Sequence, residues 1–386
     1  MEYPNPAFSS PEIGLFLDIL NQRIPRQIEG INSEKIIEFA RFHDLSVLIF
    51  FRLQNDDQGL RQKFSSLLRP AYLANIHRNL NLWNEFLKIN TAFIENKIAM
   101  LPLKGMDVLA RFYPAFDLRC MCDIDILIRE DQLAEAEKVL SALGYRKEHL
   151  GLKEEYWREK HFHFAFHKDH VVVEVHWGLD FKRGNRDILP GIWDRVRQVE
   201  PGNHKIKILS SEDAVFVFAL HLRHFGNILA LKQVLDSARI IEETVGFDWG
   251  YIVMESKRSR LQAALNFLLT QVSLFTKTTI PEDVLKSMTV AFWQKRLVTR
   301  FLLKHTFLTG GSVKTNYLKA HFLLYDSVWE AVLYLINIPH EQFCKYYNFT
   351  PYSARSVLLY NLRLVYMPLR HILGRSVERS PYLPRK

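Results

Sequence analysis

Residues 123–128 read Asp-Ile-Asp-Ile-Leu-Ile, and residues 171–177 read Val-Val-Val-Glu-Val-His-Trp. Both stretches alternate polar and apolar side chains, which is typical of a β-strand with one buried face. On the first strand Asp123 and Asp125 then share a face about 6.6 Å apart, and the isoleucines point to the core. On the second strand Glu174 lies on the face opposite to the valines beside it. These two strands predict a sheet that presents acidic side chains on one face.

Further segments of the same region have the patterns of a small mixed sheet. The additional predicted strands are 98–103 and 161–167, and a predicted helix covers 131–143, with Gly144 as its C-cap. The short connection 168–170 predicts an antiparallel hairpin that ends in the strand carrying Glu174. We therefore expect a mixed sheet with at least one helix over residues 97–200.

Helical periodicity flanks this sheet on both sides. Ser10-Pro11-Glu12 has the composition of a helix start, and Pro70 is expected to divide the later N-terminal part into two helices. Residues 210–213 have the composition of a capping box, and Asp248 is a further candidate cap. The predicted fold class is α+β, with a small mixed-sheet core between N-terminal helices and a C-terminal helical domain. The predicted boundaries are 1–96 for the N-terminal helical region, 97–200 for the α/β core and 201–386 for the C-terminal helical domain with its basic tail.

The composition is that of an ordinary folded protein. Hydrophobic residues make up 48% and charged residues 24%, which excludes an intrinsically disordered chain, and no apolar run is long enough to span a bilayer. The first residues lack the basic and apolar segments of a secretory signal. The three cysteines are an odd number without framework spacing. We therefore expect a reduced, cytoplasmic protein without a transmembrane segment.

The net charge of +9 is concentrated near the C-terminus. Residues 295–386 contain fourteen Lys and Arg against four Asp and Glu, so the rest of the chain is close to neutral. Such a region can contact an anionic partner, whether nucleic acid, a membrane surface or an acidic protein. Tyr360, Tyr366 and Tyr382 lie among the basic residues, but no RNA-binding motif is recognisable. A solvated helical face is the simpler interpretation, because charge runs alone discriminate poorly.

The three acidic side chains are candidate ligands for divalent cations. Two carboxylates held parallel on one strand can share a cation, and hard oxygen ligands suit Mg²⁺, with Mn²⁺ as an alternative. If the two strands are neighbours, Asp123, Asp125 and Glu174 converge. Three convergent carboxylates are the minimum for two-metal phosphoryl transfer, in which the ions lie about 3.5–4 Å apart. The pattern therefore indicates phosphoryl-transfer chemistry.

A phosphate-binding turn is predicted before the first acidic strand. Lys104-Gly105 ends a strand and leads into a helix at 106–113, whose N-terminus offers backbone N–H groups to a phosphate. Lys104 adds a point charge, and Arg119 could bind a phosphate in a bidentate manner. Lys104, Gly105 and Arg119 are therefore predicted to bind the nucleotide.

These motifs together resemble the signature of a known family. The pattern Lys-Gly…Arg…Asp-Ile-Asp is similar to that of the uncharacterised nucleotidyltransferases, which belong to the polymerase-beta-like superfamily. The matching residues, spread over about residues 35–250, are Leu103-Lys104-Gly105, Tyr113-Pro114, Arg119, 123–127, Glu174-Val175-His176-Trp177, Glu212-Asp213, His221, Asp236 and Trp249. The resemblance implies a nucleotidyltransferase core in which Gly105 forms the turn and the three acids form the catalytic centre.

The resemblance also implies an activity. The enzyme would transfer a nucleoside monophosphate from an NTP, with ATP as the first candidate, to a hydroxyl or phosphate acceptor, and would release pyrophosphate. The acceptor stays open between a small molecule, a protein and an RNA. Asp123, Asp125 and Glu174 would be catalytic residues and metal ligands, and Glu174 would also help to deprotonate the acceptor.

Several histidines and one further aspartate are weaker candidates. His176, His221 and Asp236 are candidate substrate contacts, while support of the sheet end and interhelical hydrogen bonds are equally good accounts of them. The alternate histidines of 161–167 are interpreted as a polar sheet face rather than a metal site, because strand histidines need ligands from elsewhere. This interpretation is compatible with one or two of these histidines lying at the border of the nucleotide pocket.

Two other functions are compatible with the sequence. A catalytically silent regulatory module would keep the fold and bind nucleotide without turnover. A basic protein that contacts nucleic acid or a membrane surface would bind through residues 355–386, with an affinity that falls steeply as salt increases.

Overall fold

The computed structural model shows an α+β chain that divides into two compact units. The structure describes residues 10–23, 30–55, 60–113, 118–148, 154–181, 188–224, 230–288, 290–305, 319–336 and 338–372. The first unit comprises 1–148, 162–180 and 186–326, and the second comprises 149–161, 181–185 and 327–386. The predicted fold class is confirmed, and the predicted boundaries near residues 96 and 200 stay a prediction.

Within the part of the chain that the structure describes, the strands form one mixed five-stranded sheet and one separate pair. They are β1 (Met100–Pro102), β2 (Ile124–Ile128), β3 (Arg146–Lys147), β4 (His163–Lys168), β5 (Val171–His176), β6 (Arg197–Val199) and β7 (Ile206–Ile208). The large sheet has the order β1-β2-β5-β4-β3, in which β2 and β5 run parallel and the other neighbours are antiparallel. The mixed sheet expected from the sequence is therefore present, with its two acid-bearing strands side by side.

Helices precede, connect and follow these strands. They are α1 (Pro11–Leu20), α2 (Ser33–Phe42), α3 (Ser46–Arg52), α4 (Leu60–Glu95), α5 (Lys104–Phe112), α6 (Leu133–Ala142), α7 (Glu154–Lys160), α8 (Ser211–His224), α9 (Leu231–Glu243), α10 (Trp249–Arg258), α11 (Gln262–Phe275), α12 (Glu282–Ser287), α13 (Phe292–His305), α14 (Val328–Ile336), α15 (His340–Tyr347), α16 (Ala354–Asn361) and α17 (Arg363–Ile372). The second unit contains α7 and α14 to α17. Among the described residues, none of the helices combines the length and the apolar character that crossing a bilayer requires.

The hairpin of β4 and β5 sets the register of the sheet. A two-residue turn at Asp169-His170 joins the strands, and Asp169 adopts a left-handed φ of 50°, which short polar residues tolerate. Phe164 lies opposite Val175, and Phe166 lies opposite Val173, and all four are buried. Because the apolar sides of both strands meet in the core, their polar sides also lie together on the other face.

The long helix α4 corrects the expectation that Pro70 separates two helices. The helix continues over 36 residues with Pro70 inside it. A proline in a helix interior removes one hydrogen bond, at a cost of about 3 kcal/mol. Pro70 is exposed, and so is Ser66, whose carbonyl group loses its partner, so water can solvate that group. Burial of Phe64 before the proline and of Phe86 after it holds both halves in place and outweighs this loss.

Several helices in the first unit begin or end at residues that the sequence predicts as caps. Ser210 Oγ accepts a hydrogen bond from the backbone N–H of Asp213 at 3.1 Å, at the start of α8. Asp248 Oδ1 accepts one from the N–H of Tyr251 at 2.8 Å, at the start of α10. Gly144 follows α6 with a left-handed φ of 89°. The two predicted N-caps are confirmed, whereas the C-cap of α6 is Leu143 and Gly144 is the left-handed residue that follows it.

Aromatic residues form a small core in the second unit. Phe343 and Tyr347 are buried, and Tyr360 and Tyr366 pack against them. Two of the tyrosines near the basic tail are therefore engaged in packing contacts. The remaining part of that tail, residues 373–386 with the third tyrosine, lies outside the described residues.

Candidate active site

Two acidic side chains meet where β2 and β5 run side by side. Asp125 and Glu174 are opposite residues of the parallel pair, so their side chains point to the same face. His176 contacts both, since its Nε2 lies 3.1 Å from Asp125 Oδ1 and 3.4 Å from Glu174 Oε2. Only 5% of the Asp125 side chain is exposed, against 27% of that of Glu174. The adjacency of the two strands, on which the predicted convergence depends, is present.

Asp123 completes the acidic group from the position just before β2. Its side chain is only partly exposed. Burial, followed by the negative charges of Asp125 and Glu174, raises the pKa of the Asp123 carboxyl group to about 7. Like charges gathered in a partly desolvated place are unfavourable on their own and are typical of functional sites.

Lys104 places a positive charge among these carboxylates. Its Nζ lies 2.7 Å from Asp125 Oδ1. Burial opposes the charge on Lys104, but the three carboxylates outweigh burial and raise the pKa of the ammonium group above its ordinary value. Burial likewise opposes ionisation of Asp125 and Glu174. The contacts with the lysine and with His176 outweigh it, so the pKa of Asp125 is lowered and that of Glu174 falls to about 2.

The turn at Lys104-Gly105 has an unusual local geometry. Lys104 has a φ of 48°, in the left-handed region that residues other than glycine rarely adopt. Gly105 leaves no room for a side chain, because a Cβ there would lie 2.6 Å from Arg119 Nη1 and 3.1 Å from Met121 Sδ. This turn starts α5 and directs the Lys104 ammonium group to Asp125. A strained backbone at such a position is a frequent feature of ligand-binding sites.

Arg119 and Asp236 bind each other in the interior. Arg119 Nε and Nη2 lie 2.9 and 2.7 Å from Asp236 Oδ2, and Tyr113 donates its hydroxyl hydrogen to Asp236 Oδ1 at 2.9 Å. Burial opposes the charge on Arg119, but Asp236 outweighs it and raises the pKa of the guanidinium group. The sequence predicts that Arg119 binds the nucleotide and makes Asp236 a candidate substrate contact. Both roles stay predictions, and each would require this buried pair to open.

Two further histidines lie near the acidic group. His163 on β4 is the register partner of His176, and the two rings are 4.9 Å apart. Burial, then the charges of His176 and Lys104, holds the pKa of His163 well below its ordinary range. Burial and the charge of Lys104 do the same for His221 on α8, which is therefore a neutral group near the site. The sequence indicated a polar face for His163 but not its position beside Glu174.

The donor set of this site fits a hard divalent cation. Asp123, Asp125 and Glu174 offer carboxylate oxygens, which are the ligands that Mg²⁺ prefers. Lys104 neutralises part of their charge, while burial, together with the negative charges of Asp125 and Glu174, still raises the pKa of Asp123. A divalent cation would balance the remaining negative charge.

Comparison with known proteins identifies the family. The sequence profile described as "Uncharacterised nucleotidyltransferase" matches residues 29–277, more than half of the chain. The chain belongs to this family. The turn, the three acids and His176 of this nucleotidyltransferase all lie within the matched residues.

Two of the solved structures that are similar to this chain share little sequence identity with it. A solution structure of the antibiotic-resistance factor ANT(2'')-Ia is 12% identical, with a TM-score of 0.36, and the match covers 46% of this chain and 91% of that one. A crystal structure of ANT(2'')-Ia in complex with adenylyl-2''-tobramycin is also 12% identical, with a TM-score of 0.34, and the match covers 46% of this chain and 95% of that one. None of the curated proteins matches this chain.

Proposed function

We propose that this nucleotidyltransferase moves a nucleoside monophosphate from an NTP, with ATP as the first candidate, to a hydroxyl or phosphate group of an acceptor, and releases pyrophosphate. The observation that carries the proposal is the side-by-side placement of Asp125 and Glu174 on parallel strands, with Asp123 and Lys104 adjacent to them. Family membership supports nucleotidyl transfer in general. The identity of the base, the acceptor and the metal dependence belong to the proposal.

The three carboxylates would hold Mg²⁺ or Mn²⁺. A bound divalent cation would neutralise the triphosphate and stabilise the charge of the leaving pyrophosphate. A pKa of about 2 keeps Glu174 ionised, which suits a ligand better than a proton acceptor. The role of Glu174 in deprotonating the acceptor therefore stays a prediction, while its role as a ligand is the one that the electrostatics favour.

Other residues of the site would bind and orient the nucleotide. Lys104 stands at the first turn of α5, where backbone N–H groups and the helix dipole favour a phosphate. Its ammonium group now contacts Asp125 and can exchange that carboxylate for a phosphate oxygen. His176 touches both Asp125 and Glu174, so it fixes the relative position of the two carboxylates.

The test is Mg²⁺-dependent pyrophosphate release, measured with each NTP for the wild type and for Asp125→Asn. Asparagine keeps the size of the side chain but removes the charge that binds a cation and Lys104. We expect release to fall by at least about a hundredfold, as when an electrostatic stabiliser of a reaction is removed. Asp131→Asn is the matched control, since Asp131 is exposed in the short turn after β2, and it should retain wild-type activity.

Thermal unfolding of both variants separates loss of activity from loss of the fold, because Asp125 is buried. Equal pyrophosphate release by the wild type and Asp125→Asn would contradict a catalytic role of this residue. Nucleotide binding without product, across a panel of small-molecule, protein and RNA acceptors, would favour the silent regulatory module instead.

A further inference from the structure

A second group of potential ligands lies beside the carboxylates. His163 and His176 are opposite residues of the β4–β5 hairpin, and Glu174 lies two positions before His176 on the same face. Glu174 is 3.4 Å from His176 through Oε2 and 4.0 Å from the Nε2 of His163 through Oε1. One donor atom from each of the three residues lies within 4.8 Å of the other two. The hairpin register alone therefore brings two imidazoles and a carboxylate to one point.

This second group differs in chemistry from the group of three carboxylates. Imidazole nitrogens are ligands for borderline ions such as Zn²⁺, Co²⁺ and Fe²⁺, whereas Mg²⁺ prefers oxygen atoms. Two histidines and one carboxylate also leave a coordination position open, as in catalytic zinc sites. Phe162 packs beside both rings, with centroid distances of 4.8 Å to His163 and 5.6 Å to His176. The aromatic neighbour restricts the rings and so supports a defined geometry.

We propose that His163, His176 and Glu174 form a second site, for a transition-metal ion represented by Zn²⁺, which shares Glu174 with the carboxylate site. Glu174 belongs to both groups, so an ion held by the histidines draws this carboxylate away from Mg²⁺. The ammonium group of Lys104 stays on Asp125, which keeps that carboxylate compensated when His176 turns to the ion. Binding of the ion follows from the geometry of the hairpin, and only its inhibitory effect rests on the proposed function.

The decisive experiment measures binding of Zn²⁺ alone, without nucleotide, by equilibrium dialysis of the full chain. The variants are His163→Gln and the matched control His167→Gln. His167 is on the same strand, exposed and near Glu148, so its loss removes an imidazole outside the site. We expect the wild type and His167→Gln to bind one Zn²⁺ with equal affinity. His163→Gln should bind it at least about tenfold more weakly, since loss of an outer-shell partner already costs that much.

A second arm follows pyrophosphate release in Mg²⁺ while Zn²⁺ is added. We expect Zn²⁺ to inhibit the wild type and His167→Gln at concentrations that leave His163→Gln unaffected. The rate of each protein is compared with the rate of the same protein before Zn²⁺ is added. Circular dichroism tests whether the His163→Gln variant is folded.

The two proposals can fail separately. If a folded His163→Gln binds Zn²⁺ as tightly as the wild type, the transition-metal site is wrong, whatever the enzyme activity. If no protein releases pyrophosphate but dialysis shows the expected difference, the metal site stands and the proposed transfer reaction is contradicted.

Discussion

The predicted nucleotide-binding turn depends on close packing at Gly105, where a side chain would collide with Arg119. An added Cβ would lie 2.6 Å from Arg119 Nη1, and Arg119 is held by Asp236 at 2.7 Å, so the guanidinium group has little freedom to withdraw. For Gly105→Ala we expect a loss of about 1–3 kcal/mol in the free energy of unfolding, as for overpacking of a filled core. Because Lys104 precedes this position, pyrophosphate release should fall as well. Urea unfolding and the release assay measure the two effects.

Gly14→Ala is the control for this substitution. Gly14 lies inside α1, and a Cβ there would meet nothing within 4 Å. Alanine is favoured over glycine in a helix by about 0.5–1 kcal/mol, so this variant should be slightly more stable than the wild type. A Gly105→Ala protein that behaves like Gly14→Ala would contradict the close approach of Arg119 to the turn.

At the residue scale, the sequence predicted the chemical character and the face of single residues better than it predicted which other residues they contact. Alternation around Asp125 and Glu174 indicated which face each occupies, because the period of a strand is a local property. The pairing of Arg119 with Asp236 spans 117 positions, and no local pattern reports a contact of that kind. Arg119 therefore looked available for a phosphate, although the fold buries it against an acid.

At the element scale, the sequence pattern of the β4–β5 hairpin contains enough information to predict the register of the two strands. The prediction of a polar histidine face did not use that information. Apolar residues must pair with apolar residues, so Phe164 and Phe166 on β4 had to face valines of β5. That condition fixes the parity of the register and allows a two-residue turn at 169–170. The same register places His163 opposite His176, so the position of His163 beside the acids was accessible from the pattern. The adjacency of β2 and β5 could not be predicted from the pattern, because a long connection separates these strands.

The helix α4 is tied to the sheet by a buried carboxylate. Glu85 Oε2 accepts hydrogen bonds from Tyr145 at 2.8 Å and from Lys168 at 2.9 Å, and Oε1 contacts Lys88 at 2.6 Å. Burial opposes ionisation of Glu85, but these three partners outweigh it and lower its pKa to about 2. The charged form of Glu85 therefore stabilises the folded state.

Glu85→Gln should lower the free energy of unfolding by about 1.5–3 kcal/mol at pH 7, the range for hydrogen bonds to a charged group. The pKa of a glutamate in the unfolded chain is about 4.3, above the folded value. The stabilisation is thus complete above about pH 4.3 and is lost as the pH falls towards 2. Urea unfolding at pH 7, 4 and 3 should show a difference between the wild type and the variant that shrinks with acid.

Glu135→Gln provides the comparison for this pH dependence. Glu135 is on α6, about half exposed, and contacts Lys138 of the same helix. Its replacement should change stability by less than about 0.5 kcal/mol at each pH, as is usual for an exposed ion pair. A difference between Glu85→Gln and the wild type that is the same at pH 7 and pH 3 would show that the charge of Glu85 is not the source of the effect.

At the scale of the whole molecule, the first unit extends past the residues that match the family. The family match ends at residue 277, whereas the unit continues to 326. In this extension Leu302 of α13 is fully buried, and the Phe301 ring lies 6.2 Å from Phe267 of α11. Gln294 also donates to the backbone carbonyl of Tyr325 at 3.0 Å. The helical domain was predictable as a class from its periodicity, but these contacts depend on the assembled fold.

Asp326, at the end of this unit, provides a direct test of whether the extension stabilises the matched part. Its Oδ1 accepts a hydrogen bond from the backbone N–H of Ala263 at 2.8 Å, and Oδ2 accepts one from that of Gln262 at 3.3 Å, so it caps the start of α11 from 63 positions away. Asp326→Ala should cost about 1 kcal/mol in urea unfolding, the usual loss for a helix cap. Asp326→Asn keeps one acceptor for Ala263 and should lose less, mainly through the missing charge at the helix N-terminus. Equal stability of the alanine variant and the wild type would mean that the Asp326 cap does not stabilise α11, and that any stabilisation by the extension comes from other contacts such as that of Phe301 with Phe267.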